Sequence, residues 1–266
     1  VYLIAFVLFV LDLGRRSAAA PAARASAELT NAVGSTVVTE RVTTSSPGAA
    51  SRYQRTAYAL VVVGWLVHVA AIVLRGVAAS RVPWANMFEF ALTGTGIIVG
   101  VFVVVQVWKD LRFLGAYVTG LAVLLLSLAT VNLYVDVVPL PPALQSGWLV
   151  IHVLVAILGT GFYALGAGLS VVQLVQERRE SGRLRGPGFL RTLPGSETLE
   201  RLAYRLNVTG FVFWTFTLIL GAVWAERAWG RYWGWDTKEV WTFIVWVVFA
   251  GYIHARATKG WRGSRS

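Results

Sequence analysis

No cysteine occurs anywhere in the chain. That absence excludes structural disulfides, thiolate metal sites and covalent attachment of a haem to this polypeptide. Histidine is nearly as scarce. His68, His152 and His254 are the only imidazoles, and no HxH or HExxH spacing suggests a hydrolytic zinc site. Charged residues make up only 14% of the 266 positions, where a soluble domain would carry roughly 25%. Acids are the rarer half, 13 against 24 bases. What remains is apolar, 56% hydrophobic with a mean hydropathy of +0.63. Several charge-poor stretches reach about 20 residues, the length that crosses a bilayer core as a helix. The fold class expected is therefore an all-α polytopic membrane protein. The apolar runs are continuous rather than alternating, which argues against a barrel.

About seven helices are expected. The first apolar run, 1–11, covers ~17 Å of a ~30 Å hydrocarbon core, so it is read either as an incomplete span or as one missing its beginning. No basic residue precedes it, which makes a signal peptide a poor reading. The chain begins with valine, read as an alternative start or a clipped end. Residues 12–56 form a polar linker expected to be partly disordered. Helices follow at about 57–74, 87–108, 113–131, 148–176, 207–224 and 238–256, with 177–205 a basic, mostly polar connection. Gly159, Gly161, Gly166 and Gly168 on the fifth permit close helix approach. Three regions result: an N-terminal helix with its linker (1–56), a transmembrane domain (57–256) and a basic tail (257–266). The tail resembles the basic turns that elsewhere join two spans, so a further helix is expected beyond it.

The bases are not spread evenly. Segments 12–56, 109–112, 176–206 and 255–266 hold 19 of the 24, and strict alternation puts all four on one side. The positive-inside rule makes that side cytoplasmic. The net charge of +11 is then a topogenic signal and a lipid contact, not a nucleic-acid surface.

The opposite side receives the most distinctive stretch, 224–246, which holds six of the 12 tryptophans. Trp229, Trp233 and Trp235 are closely spaced, with Gly230 and Gly234 between them to admit a flat ligand. Asp236, Lys238 and Glu239 adjoin the aromatics, and the carboxylates suit the start of the seventh helix. Arg227, Arg231 and Lys238 suit anionic groups. Stacking faces beside cations fit haem and also fit a quinone headgroup, while tryptophans alone fit an interfacial belt. His152, near the outer start of the fifth helix, is placed for an axial bond to haem iron. His254 lies about 20 Å of helix further inward, with Arg256 beside it as a propionate partner. His68 is read either as a second buried ligand or as a packing residue. On the same outer side, Asn86 and Glu89 share a helical face. They suit either a helix cap or a hold on Arg75, Arg81 or the tryptophan segment.

The stretch TrpGlyArgTyrTrpGlyTrpAspThrLysGluValTrp, 229–241, resembles the tryptophan-rich WWD signature of haem-handling proteins in cytochrome c maturation. ProTrpAlaAsnMetPheGluPhe at 83–90, TrpLeuValIleHisVal at 148–153 and TyrIleHisAlaArg at 252–256 make the chain similar to the CcsA (ResC) family. The resemblance covers most of the chain from about residue 57. It implies haem transport to the outer face of the plasma membrane and a part in a cytochrome c synthase. Haem b would be attached to the CxxCH cysteines of apocytochrome c together with a CcsB/ResB-like membrane partner. It further implies that His152 corresponds to the external histidine before the tryptophan-rich segment and His254 to the membrane histidine after it. Haem contacts are expected at His152, Trp229, Trp233, Trp235, Asp236, His254, His68 and Arg231, with the three histidines as candidate iron ligands. A second external histidine expected of the family, on a later helix, is not among these residues. The alternatives are haem delivery to a carrier in the manner of the related CcmC, a haem b or quinone redox subunit, and a membrane scaffold without a cofactor.

Overall fold

The computed structural model describes residues 1–32, 51–184, 188–258 and 261. Seven α-helices account for nearly all of them: α1 (Tyr2–Ala32), α2 (Arg52–Ala79), α3 (Met87–Val105), α4 (Gly115–Asn132), α5 (Gly147–Glu180), α6 (Ser196–Trp229) and α7 (Thr237–Ala257). Short 3-10 turns fall at Arg112–Leu114, Pro142–Leu144 and Gly188–Thr192. No strand occurs among the described residues. Six helices, α2 to α7, are long and apolar enough to cross a membrane, so the chain is a multi-pass membrane protein.

Several helices outrun their apolar cores, and local chemistry explains each case. α2 starts at Arg52 because the Ser51 hydroxyl accepts the Gln54 amide at 3.1 Å as an N-cap. α6 starts at Ser196, eleven residues before the expected boundary. Leu199 and Ala203 give its polar first turns a buried stripe in the main core. α5 likewise runs on to Glu180, so much of the expected connection 177–205 is helical. At 34 residues each, α5 and α6 measure about 51 Å, well beyond a ~30 Å hydrocarbon core. α1 extends through an alanine-rich segment that favours helix. The rest of the expected disorder, 33–50, lies outside the described residues.

Tyr2 and Phe9 of α1 pack with Val61, Phe102, Leu114, Leu165 and Leu199 in one core. The closest pairing is α5 with α6. There Gly166 leaves room for the Asn207 side chain, which a β-carbon would overlap, and Gly159 faces the Gly210 carbonyl. α7 differs from the rest in having no buried residue. Two indole hydrogen bonds tie it to α6: Trp214 Nε1 donates to the Thr242 carbonyl and Trp246 Nε1 to the Thr215 hydroxyl, both at 3.0 Å.

The connections sort into two ends. At one, Arg75 near the end of α2 donates to the Val135 carbonyl at 2.7 Å, joining the α2–α3 and α4–α5 connections. His152 and the α6–α7 connection share a pocket at this same end. The other end gathers the α3–α4 turn, the α5–α6 connection and the last turn of α7. There Arg256 pairs with Glu200 at 2.9 Å.

Candidate functional site

The pocket at the aromatic end has a cavity volume of about 120 Å³. One wall is α6. Thr217, Gly221, Trp224, Ala225 and Trp229 recur at helical spacing and line it as a stripe. His152 of α5 faces that stripe. Tyr232 and Trp233 of the α6–α7 connection and the first turns of α7 complete the enclosure.

His152 is held on three sides. Its ring stacks on Trp224 with centroids 5.9 Å apart and 18° between planes. Gly221 lies under the imidazole, so close that a β-carbon there would stand 2.9 Å from Cε1. Nδ1 lies 3.0 Å from the Thr217 carbonyl. A carbonyl only accepts, so Nδ1 carries the proton and the neutral ring keeps its lone pair on Nε2. Among the described residues Nε2 has no hydrogen-bond partner. This is the arrangement of a metal-binding histidine, whose second nitrogen is fixed by a backbone carbonyl.

The aromatic walls meet at angles. Trp224 and Trp229 are 4.7 Å apart at 63°. Two cations flank Trp229, with the Arg231 guanidinium and the Lys238 ammonium each 5.8 Å from its centroid. The buried Trp233 Nε1 has no hydrogen-bond partner, an orphaned donor in the pocket lining.

The α6–α7 connection is rigid for identifiable reasons. Gly230 ends α6 in the left-handed region at φ 68°. Asp236 caps α7 by accepting the Lys238 and Glu239 amides at 2.8 and 2.9 Å. Glu239 reaches back to the Asp236 and Gly234 amides at 3.2 and 2.6 Å, completing a capping box. The Glu239 amide, and then the Lys238 charge, hold the Asp236 carboxyl below its ordinary range. Gly234 is approached not by a ligand but by the Arg231 guanidinium, which lies where a β-carbon would sit. Arg231 in turn pairs with Glu239 at 3.5 Å.

The residues expected at the site thus divide. His152, Trp229, Trp233 and Asp236 line the pocket, and Arg231 stands behind Trp229. Trp235 is outside the lining, 75% exposed, and meets Trp233 edge to face at 5.9 Å. His254 is exposed in the last turn of α7. Arg256 is taken up by Glu200 and by the Trp261 carbonyl at 3.1 Å. His68 is buried, with Nε2 donating to the Leu92 carbonyl at 3.0 Å. That leaves Nδ1 to accept from the Tyr2 hydroxyl at 3.3 Å, so both its nitrogens are engaged. Trp224, Thr217, Gly221 and Tyr232 belong to the pocket without having been singled out as ligand contacts. The signal for the first three was their spacing, a face of α6 ending on a tryptophan.

The motif at 83–90 is organised around Glu89. Its side chain is fully buried and accepts from Arg75 Nε at 3.1 Å, from Arg81 Nη1 at 2.6 Å and from the Ala85 amide at 2.9 Å. Asn86 caps α3 by accepting the Glu89 amide at 2.9 Å. Both expected roles, cap and hold on the two arginines, coexist.

A family model described as cytochrome C assembly protein matches residues 84–266, which include the whole pocket. The cytochrome c biogenesis protein CcsA of Guillardia theta is 36% identical over 210 residues, covering 72% of this chain and 69% of its own length. The CcsA of Synechococcus sp. (strain CC9902) is 35% identical over 235 residues, with coverages of 77% and 75%. That of Trieres chinensis is 33% identical over 224 residues, with 72% and 71%.

Proposed function

Because the chain belongs to the cytochrome c assembly protein family and so serves cytochrome c biogenesis, we propose that its tryptophan-lined pocket holds haem b as cargo. The pocket would present it for attachment to the CxxCH cysteines of an apocytochrome c. The observation that carries the reading is His152, with Nδ1 committed to the Thr217 carbonyl and Nε2 bare at the pocket. In this reading Nε2 supplies one axial bond to the iron. Trp224, Trp229 and Trp233 would bound the porphyrin faces, and the orphaned Trp233 Nε1 and Lys238 would meet the propionates, with Arg231 behind Trp229 adding positive charge.

Attachment adds each thiol across a vinyl double bond. The sulfur bonds to one carbon, the proton goes to the other, and no net oxidant is consumed. This chain therefore needs to supply position rather than an acid or a base. Holding the reacting partners in register is worth up to several kcal/mol of barrier. The capping box contributes by keeping Trp233 and Trp229 in place without a catalytic group of its own.

Sidedness follows from charge in the same reading. The aromatic end faces outward across the plasma membrane and the basic connections face the cytoplasm. The exposed face of α7, with His254, is the surface that a CcsB/ResB-like membrane partner covers. His68, with both nitrogens engaged, serves the α1–α2–α3 core.

A pyridine haemochrome assay for haem content, together with the native absorption spectrum for ligation, tests the assignment on the purified protein, alone and with its partner, against His152→Gly. Wild type is expected to carry b-type haem. The variant is expected to lose it or shift its spectrum, and added imidazole to restore it. Equal haem and an unaltered spectrum in the two proteins would remove His152 from the iron.

A further inference from the structure

The connection between α2 and α3 carries a second set of unmet donors. Arg81 Nε, Trp84 Nε1 and Asn86 Nδ2 are all buried and all lack a hydrogen-bond partner. Three orphaned N–H groups within six residues are rare, because buried donors are normally satisfied. The orientation of Asn86 is set by its cap, since Oδ1 accepts the Glu89 amide and the amino group must point the other way. Charge is unbalanced in the same place. Arg75 and Arg81 have side chains 12% and 9% exposed, and they share the single buried carboxylate of Glu89. The cluster therefore carries one excess positive charge. Asp136 in the adjacent connection is exposed and forms no ion pair among the described residues.

A pocket with a cavity volume of about 230 Å³ opens here between residues 81–85 and 140–150, with Arg81 and Trp84 in its lining. Its other walls are largely apolar, including Leu140, Leu144, Leu149 and Val150. The first turn of α5 borders it at Gly147, and Asn86 starts α3 beside it, so two helix N-termini add to the positive potential. It is distinct from the haem pocket. Leu149 and Val150 of α5 line this one, whereas His152 lines the other. It also lies at the ends of membrane spans, where headgroups sit.

We propose that this pocket binds the phosphate diester of an anionic phospholipid. The phosphate accepts from Arg81 and Trp84 of the lining, with the Asn86 amino group beside the pocket, and an acyl chain follows the apolar walls. A phosphate diester carries one negative charge, which matches the excess. It only accepts hydrogen bonds, and each of its two non-ester oxygens accepts more than one. The inference stands apart from the haem reading.

Native mass spectrometry of the full chain in detergent tests it, with three probes: dioleoyl-phosphatidylglycerol, dioleoylglycerol and inorganic phosphate. The comparison is wild type against Trp84→Phe combined with Asn86→Ser. Phenylalanine keeps the ring packing and serine keeps a neutral cap acceptor, while the indole and amide donors are both removed. Wild type should retain phosphatidylglycerol and not dioleoylglycerol. The double variant should retain phosphatidylglycerol about tenfold less, the scale of losing charge-assisted hydrogen bonds. Equal retention of the two lipids, an unchanged double variant, or displacement of the lipid by equimolar inorganic phosphate would each overturn the proposal. Helical circular dichroism and monodisperse elution control for folding. Trp84→Phe alone is read if the double variant fails that control.

Discussion

His152 depends on a glycine four residues along α6 from the carbonyl that fixes its tautomer. A β-carbon at Gly221 would stand 2.9 Å from Cε1 and 3.1 Å from Nδ1 of the imidazole. Gly221→Ala should therefore tilt the ring off both the Thr217 carbonyl and Trp224. Haem occupancy, read by pyridine haemochrome, is expected to fall about tenfold with helix content unchanged, within the range for disturbing the support of a metal ligand. Trp235 makes the opposite case. It occupies the left-handed region at φ 58° while 75% exposed, a conformation that costs a side-chain-bearing residue about 1 kcal/mol. Trp235→Gly should raise the thermal midpoint of the purified protein. If holocytochrome output falls in the same variant, the exposed ring acts on something outside this chain. If output is unchanged, the ring has no such role. The two tryptophans on either side of Gly234 look equivalent in the sequence. Only the backbone conformation, with Trp235 left-handed, sends one into the pocket lining and leaves the other outside.

At the scale of the helix, the capping box of α7 makes a pH-dependent claim. The Asp236 carboxyl is held below its ordinary 3.8 by the Glu239 amide. A folded value below the unfolded one means that the unfolded chain takes up the proton first as pH falls. The cap's contribution is then complete above about pH 5 and is lost below 3.8, as pH passes through the lower folded value. Amide exchange protection at Lys238 and Glu239 should follow that course in wild type and stay flat in Asp236→Asn. In Asp236→Ala the start of α7 should weaken by about 1 kcal/mol at neutral pH. The α5–α6 pair makes a second claim. Gly166→Ala puts a methyl into the Asn207 side chain and should destabilise the protein by about 1–3 kcal/mol. Gly251→Ala in α7 meets open space and should be neutral or stabilising by up to about 1 kcal/mol, the helix propensity difference. Thermal midpoints of the two variants in one detergent decide the matter, and equal shifts would remove the close-packing argument. Helix existence was legible from hydropathy at every span. The projection of α5 past the membrane was legible in its length, but the polar start of α6 was not, because its burial depends on neighbours distant in sequence.

For the whole molecule, the absence of cysteine makes orientation directly measurable. Tyr232 is 63% exposed at the aromatic end, and Lys109 is exposed in the turn after α3. With Tyr232→Cys, a membrane-impermeant maleimide should label intact cells. With Lys109→Cys, it should label only after permeabilisation. The reverse pattern would invert the proposed topology and place the tryptophan-lined pocket on the cytoplasmic side. The bundle also shows where a partner has most to gain. α1 to α6 bury side chains in shared clusters, while α7 leaves every residue short of burial and is held by indole hydrogen bonds, ring contacts and the Arg256–Glu200 pair.

Composition and periodicity by themselves determined the membrane class, the helix count and the gathering of tryptophans at one end. Each of these depends on local hydropathy or on residue type along the chain, and neither needs a partner in space. The choice among the three histidines was tertiary. His152 and His68 are both histidines within apolar helices, yet one faces a single carbonyl across a glycine and keeps Nε2 bare, while the other lies between a carbonyl and the Tyr2 hydroxyl with nothing left over. Which nitrogen is free depends on what other helices bring to each ring. The roles of Asp236 and Glu239 as a cap, of Arg231 as the group over Gly234, and of Arg81, Trp84 and Asn86 as orphaned donors were decided in the same way, by contacts formed only when the chain folds.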